Sequence, residues 1–179
     1  MHQNIIEGCI RGEKSAQFQL YQQYAKAMFN ICYRITNNYA DAEDALQEAF
    51  VNAFNNINQF EGRSSIGAWL KRIVVNQALN LAQKKKLEFT SLENHHFYVA
   101  DENENDDDYY VQDIERIRNA VQQLPDGYRI VFSLYLLEGY DHAEIGEILK
   151  VSESTSKSQY NRAKKKLKEI LKEEVYHER

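Results

Sequence analysis

Apolar residues recur at three- and four-residue steps along most of this chain, the spacing of helices that bury one face. A short helix covers about 3–11. Ser15 caps a long one that carries Phe18, Tyr21, Ala25, Met28, Phe29, Cys32 and Ile35. Asp41 opens a third, with Asp44 three residues on as a weak relative of the capping box, and Ala45, Leu46, Ala49, Phe50, Ala53, Phe54 and Ile57 form its stripe. After the loop FEGRSS, Ser64 or Ser65 caps a fourth, carrying Ile66, Trp69, Leu70, Ile73, Val74, Leu79 and Leu81 into the lysine run 84–86. The pattern then lapses and resumes with a helix over about 112–123. Pro125 and Asp126 open the next, through Ile130, Val131, Leu134 and Leu137, and Gly139 ends it. Asp141, with Glu144 three residues later, opens the short helix HAEIGEIL. A turn, KVS, leads to a long last helix capped by Ser152 and running to about 174.

Where the pattern lapses, over 88–111, the core is DENENDDD at 101–108, which buries nothing and repels itself. It reads as an acidic flexible linker. The expected architecture is therefore all-α, two small helical domains at 1–87 and 112–179 joined by this linker. Composition agrees: 43% of residues are apolar, enough for packed cores, and a single Pro and seven Gly in 179 residues argue against a turn-rich β fold.

Charge changes the picture more. The net charge of −5 looks wrong for a partner of nucleic acid, but its distribution does not. Residues 1–90 hold ten Lys+Arg against eight Asp+Glu, 91–115 hold none against nine, and 116–179 hold twelve against ten. The acidity lies in the middle, while lysine triplets at 84–86 and 164–166 make local basic patches, and local patches attract phosphates. Cys9 and Cys32 are too few for a disulfide framework and read as small core residues of a reducing compartment. The five His have no metal-ligand spacing, so neither metal nor cofactor is expected. With no basic-then-apolar start and no apolar run near the ~18 residues of a span, the chain reads as cytoplasmic, with no membrane insertion.

The strongest local signal is EGYDHAEIGEILKVSESTSKSQYNRAKKKLKEIL at 138–171: short helix, turn, longer helix. Ile145, Ile148 and Val151 would pack the pair, with Gly146 at the close approach. The second helix would present Lys157, Gln159, Asn161 and Arg162, with Lys164–Lys166 beyond, as a helix entering a major groove does. The same segment also reads as a structural hairpin with a solvated lysine face. It resembles the promoter-binding region 4 of extracytoplasmic-function (ECF) sigma factors of the sigma-70 superfamily, through Glu138, Gly139, Glu144, Ile145, Glu147, Ile148, Leu149, Ser152, Glu153, Thr155, Lys157, Ser158, Arg162, Ala163 and Leu167. LPDGYRIVFSLYLLEG at 124–139 resembles the helix before it.

The first domain resembles region 2 of the same family independently. NNYADAEDALQEAFVNAFNNINQF at 37–60 is similar to the segment that docks on the polymerase clamp, and FEGRSSIGAWLKRIVVNQALNLAQKKK at 60–86 to the segment that opens and reads the minus-10 element. The resemblance implies polymerase contacts at Asp41, Asp44, Gln47, Glu48, Phe50 and Phe54. It implies minus-10 contacts at Phe60, Gly62, Arg63, Ser64, Ser65, Trp69, Lys71, Arg72, Asn76, Asn80, Lys84 and Lys85. It implies minus-35 contacts at Ser152, Ser154, Thr155, Lys157, Ser158, Gln159, Asn161, Arg162 and Lys165. The loop 60–66 is short and polar and could hold a flipped base, with lysines and arginines on the phosphates. Trp69 reads first as a core residue, which would leave capture to the loop.

The implied function is a transcription initiation factor, not an enzyme, that binds core RNA polymerase at clamp and flap, binds promoter DNA and helps melt it. An anti-sigma factor is a further implied partner. The acidic run 41–48 also invites an acid–base or metal reading, but acids are favoured at a helix start by the dipole and have no His, Ser or Cys beside them here. Ser156 stands where the family usually has Val, a change expected to cost packing of about 1 kcal/mol. Gln159 and Asn161 replace common cations, and Ile66 a common Phe. These departures leave room for an additional DNA-bound recruiting partner. A plain helix-turn-helix regulator and a polymerase-binding protein that never touches promoters remain as other classes, and both leave the first-domain resemblance unexplained.

Overall fold

The structure is a computed structural model that describes residues 2–89 and 110–177, side chains from 3 to 84 and from 113 to 173. Most of the stretch read as a linker, and the side chain of Lys85, lie outside the described residues. Among the described residues every regular element is helical. The described residues up to 89 form one compact unit and those from 110 another.

The first unit consists of α1 (His2–Ile10), α2 (Lys14–Thr36), α3 (Tyr39–Asn55), a 3₁₀ turn (Ile57–Gln59) and α4 (Ile66–Phe89). α2, α3 and α4 pack on one another, and α1 lies on α2 and the 3₁₀ turn. Leu20, Ile31, Cys32 and Ile35 of α2, four alanines with Leu46 and Phe50 of α3, and Ile66, Leu70, Val74, Val75, Ala78 and Leu79 of α4 fill the core. Gly8 permits the α1–α2 crossing, since a Cβ there would sit 2.6 Å from that of Ala16.

Two starts differ from expectation. α2 begins after Glu13, not at Ser15, because Gly12 at φ +77° turns the chain early and leaves Ser15 inside the first turn. α3 begins at Tyr39, and its cap is Asn38, whose side chain accepts from the Asp41 backbone N–H at 3.0 Å. Asn37, left-handed at φ 53°, closes α2 just before it. The buried row of α2 is also offset: Phe18 and Tyr21 are exposed, and Leu20 takes the core position between them. Ser65 does cap α4, its hydroxyl accepting from the Ala68 N–H at 3.2 Å.

The second unit runs α5 (Tyr110–Gln122), α6 (Asp126–Phe132), a π turn (Ser133–Leu137), α7 (His142–Leu149) and α8 (Glu153–His177). α8 is the spine on which α5, α6 and α7 rest. Ala120, Val121, Leu124, Phe132, Ala163 and Ile170 form its core, with Tyr128, Tyr160, Leu167 and Leu171 packed against them. Arg129 is 2% exposed at the Pro125 break. It donates to the Leu124 carbonyl at 3.0 Å and to Asp126 Oδ1 at 2.9 Å, so a buried charge ties the end of α5 to the start of α6. Leu137, expected inside, is exposed. The Glu138 N–H reaches back five residues to Ser133 O, and this wider turn breaks the three-to-four rhythm and turns Leu136 and Leu137 outward.

α7 carries a full capping box between Asp141 and Glu144, and Ser152 caps α8 by accepting from the Thr155 N–H at 3.1 Å. Ile145 is buried between the helices, but Ile148 is only half-buried and Val151 is exposed. Backbone does the remaining closing: the Val151 N–H donates to Gly146 O at 2.9 Å, and a Cβ on Gly146 would meet Val151 O at 2.8 Å.

Both cysteines are buried and free. Burial pushes the Cys32 thiol up to about 12, and burial with the nearby Glu13 raises Cys9. Because the thiolate is the reactive form, neither should alkylate in the folded chain at pH 8, and both should once denaturant is added; mass spectrometry after iodoacetamide reads the outcome.

Candidate polymerase and promoter interfaces

The core-facing stripe of α3 leaves an opposite face of polar residues. Asp44, Gln47 and Glu48 are exposed there, and three-to-four spacing continues the face through Val51, Asn52 and Asn55. With Gln77 of α4, these residues from Gln47 onward line a shallow groove. The Gln77 amide donates to the Glu48 carboxylate, joining the two helices at the surface. Val51, 59% exposed, was not singled out from sequence, although its place on this face follows from spacing. Three expected members do not share the face. Asp41 is largely buried at the helix start. Phe50 is core, its ring 4.8 Å from that of Tyr21 at 65°. Phe54 is half-buried beside Phe50.

The loop between the 3₁₀ turn and α4 is exposed at 61–65 and turns at Gly62, φ +71°. Arg63 pairs with Glu61 at 2.6 Å. Ser64 is exposed, and Ser65 is committed to capping. Phe60 and Trp69, both half-buried, hold their rings 5.7 Å apart at 60°, so Trp69 braces the base of the loop. Below it, Arg72, Asn76, Asn80 and Lys84 are all exposed and fall at four-residue steps, a polar line down one side of α4. Lys71 sits half-buried at its flank.

On α8, Ser154, Lys157, Ser158, Asn161, Arg162 and Lys165 are exposed at three- to four-residue steps. Thr155 is half-buried at the first turn, where its hydroxyl and that of Ser154 meet the capping Ser152 Oγ at 2.7 and 2.9 Å. Ser158 donates to the Ser154 carbonyl at 2.9 Å. Lys157 pairs with Glu153 at 2.6 Å, and that hydrogen bond, then the charge, holds its ammonium above the usual range. Gln159 is half-buried, and its amide lies over Gly127 of α6. The packing cost expected at Ser156 is not a bare loss: the residue is fully buried, and its hydroxyl meets His142 Nδ1 at 2.9 Å.

Comparison with known proteins decides the family. Sigma-70 region 2 matches residues 20–88, and sigma-70 region 4 matches 114–167. The ECF RNA polymerase sigma factor SigW of Bacillus subtilis is 29% identical over 173 residues, 91% of this chain and 92% of that one. The chain belongs to the ECF sigma factors.

This sigma factor is also 27% identical over 167 residues to the ECF sigma factor SigM of Mycobacterium tuberculosis, covering 93% of its own length and 83% of the relative's. Its fold is that of the sigma factor RpoE solved with the anti-sigma factor NepR from Bartonella quintana, with TM-score 0.65 and 21% identity over 86% of this chain and 95% of that one. It is a transcription initiation factor that works with core RNA polymerase and promoter DNA. A plain helix-turn-helix regulator is not favoured, because the region 2 match falls wholly in the first unit. Among the described residues, no helix is long and apolar enough to cross a membrane.

The α3 face makes a sharp contrast. Val51→Arg should leave the thermal unfolding of the chain unchanged and weaken its capture by core polymerase at least tenfold. Phe50→Ala should instead destabilise the first unit by about 3–5 kcal/mol. Pull-down titration and circular dichroism on the two variants test this.

Proposed function

We propose that the three exposed faces divide the work of initiation. In this reading residues 1–87 act as region 2, 88–111 as a tether and 112–179 as region 4. The α3 face, with Asp44, Gln47 and Glu48 and now Val51, Asn52 and Asn55, docks on the polymerase clamp. The loop 60–65 takes a base of the non-template strand, and the α4 line tracks the strand beyond it. α8 lies in the major groove of the minus-35 element. The second unit also touches the polymerase flap.

The observation that carries the reading is the run of Arg72, Asn76, Asn80 and Lys84 directly below a loop braced by Phe60 and Trp69. Separating strands costs about 1.4 kcal/mol per stacked step. Each captured base that stacks on a protein surface returns about 1–3 kcal/mol. Capturing one or two bases therefore offsets local melting, with no cofactor and no covalent step. Cations at the ends of the line hold phosphates, and amides between them meet base edges or sugar.

On α8, Asn161 and Arg162 are well placed for base edges or phosphates, and Lys165 for the backbone. Ser152, Ser154 and Thr155 contribute small hydroxyls at the N-terminal turn, where phosphate oxygens are favoured, and Ser158 follows one turn on. Lys157 must first leave Glu153, and Gln159 must leave Gly127. An anti-sigma factor is a further partner by analogy with RpoE and NepR. The case for an additional recruiting partner is weaker than the sequence implied, since Ser156 has a bonded partner.

Run-off transcription on pooled genomic fragments, with core polymerase and with or without this protein, tests the whole reading. Specific start sites should appear only with the protein. Binding to core without transcripts would point to a sequestering role or a missing recruiting partner. On the promoter so found, Arg162→Ala should weaken binding and lower the salt slope, log K against log salt, by about one.

A further inference from the structure

The exposed face of α8 holds its readers, but its orientation is set on the opposite face, where Ser156 is 0% exposed. A hydroxyl in such a place needs a partner. It finds His142, first residue of α7, with Nδ1 2.9 Å from Oγ. The hydroxyl donates when the ring proton is on Nε2, and Nδ1–H donates in the other tautomer. The imidazole itself is held on two sides. Tyr135 stacks on it at 4.3 Å and 9°, and Tyr160 of α8 lies at 5.7 Å and 59°. Tyr135 and Tyr160 are 4.6 Å apart, and Tyr160 continues the chain of rings to Phe132 in the core. Tyr135 sits within the π turn that breaks the rhythm of α6.

We propose that His142 and Ser156 are positioning residues for promoter recognition: their hydrogen bond, clamped by Tyr135 and Tyr160, fixes the angle at which α8 enters the groove. The inference rests on α8 being the minus-35 reader. Apolar contacts across the turn tolerate sliding and rolling; one directional bond between fully held groups does not. A roll of α8 by about 20° would carry a side-chain tip ~6 Å from the axis by about 2 Å, more than the whole range of hydrogen-bond lengths. Any such roll also takes the buried hydroxyl away from His142. A polar residue at 156 thus gives this unit an angular reference that the family's usual Val would not.

The test uses the full chain with core polymerase on the strongest promoter recovered by run-off, and on a copy with its minus-35 element scrambled. The ratio of transcripts from the two is the discrimination; thermal unfolding is followed in parallel. His142→Phe keeps a ring under Tyr135, and Ser156→Ala removes only the hydroxyl. Each alone should cut the discrimination roughly five- to tenfold, the effect of one buried hydrogen bond. The double variant orphans neither group, so its melting temperature should recover while its discrimination stays low. If discrimination returns together with stability, or Ser156→Ala discriminates like the parent, the pair is mere packing and the proposal fails. If the parent protein itself does not distinguish the two promoters, the reading of α8 falls first and takes the proposal with it.

Discussion

A row of buried alanines, Ala42, Ala45, Ala49 and Ala53, lets α3 lie close against its neighbours, and both exposed polar faces of the first unit depend on it. Side chains this small place helix axes near the short end of the usual 8–10 Å spacing. The bulk needed to fill the unit then comes from α2 and α4, through residues such as Leu20, Ile35, Leu70 and Val74. α3 is left free to spend its other side on Asp44, Gln47 and Val51, and α4 to spend its own on Arg72, Asn76 and Asn80. The Gln77–Glu48 hydrogen bond joins these two surfaces, so the polar face of α3 and the polar line of α4 are held in one register.

Much of this was legible in residue spacing, and the exceptions have physical causes. The caps at Asp141 and Ser152, and Ser65 as one of two candidates, were legible because each is a small polar residue just before a helical segment. Ser15 and Asp41 were misread because a glycine and an asparagine just upstream take unusual backbone angles and start the helices earlier. Spacing cannot reveal a left-handed Asn37. The same holds for Leu137: the π turn that exposes it is closed by a hydrogen bond from the Glu138 N–H five residues back to Ser133 O, which three-to-four spacing does not anticipate.

The candidate surfaces follow the same division. Residues chosen for motif identity alone, such as Phe50 and Asp41, prove to be parts of the scaffold, whereas those lying off the core stripe emerge at the surface. A family pattern mixes positions kept for folding with positions kept for contact, and burial separates them. Ser156 is the instructive case. Judged by hydropathy it is a defect in a buried face; judged by its partner it is a bonded contact, because His142 at the start of α7 has a ring nitrogen to offer across the helix pair.

The pairing of Lys157 with Glu153 bears on how this protein searches a genome. The ammonium and its carboxylate together carry no net charge, so a Lys157 that met DNA with Glu153 still beside it would displace few condensed cations from the duplex. That helix position therefore adds little to the grip on arbitrary sequence. The ammonium stands as an unpaired charge only where a groove draws it from Glu153. On the proposed reading of α8 the helix carries its own counterion, which would shorten its stay on the many wrong sites more than on the few right ones.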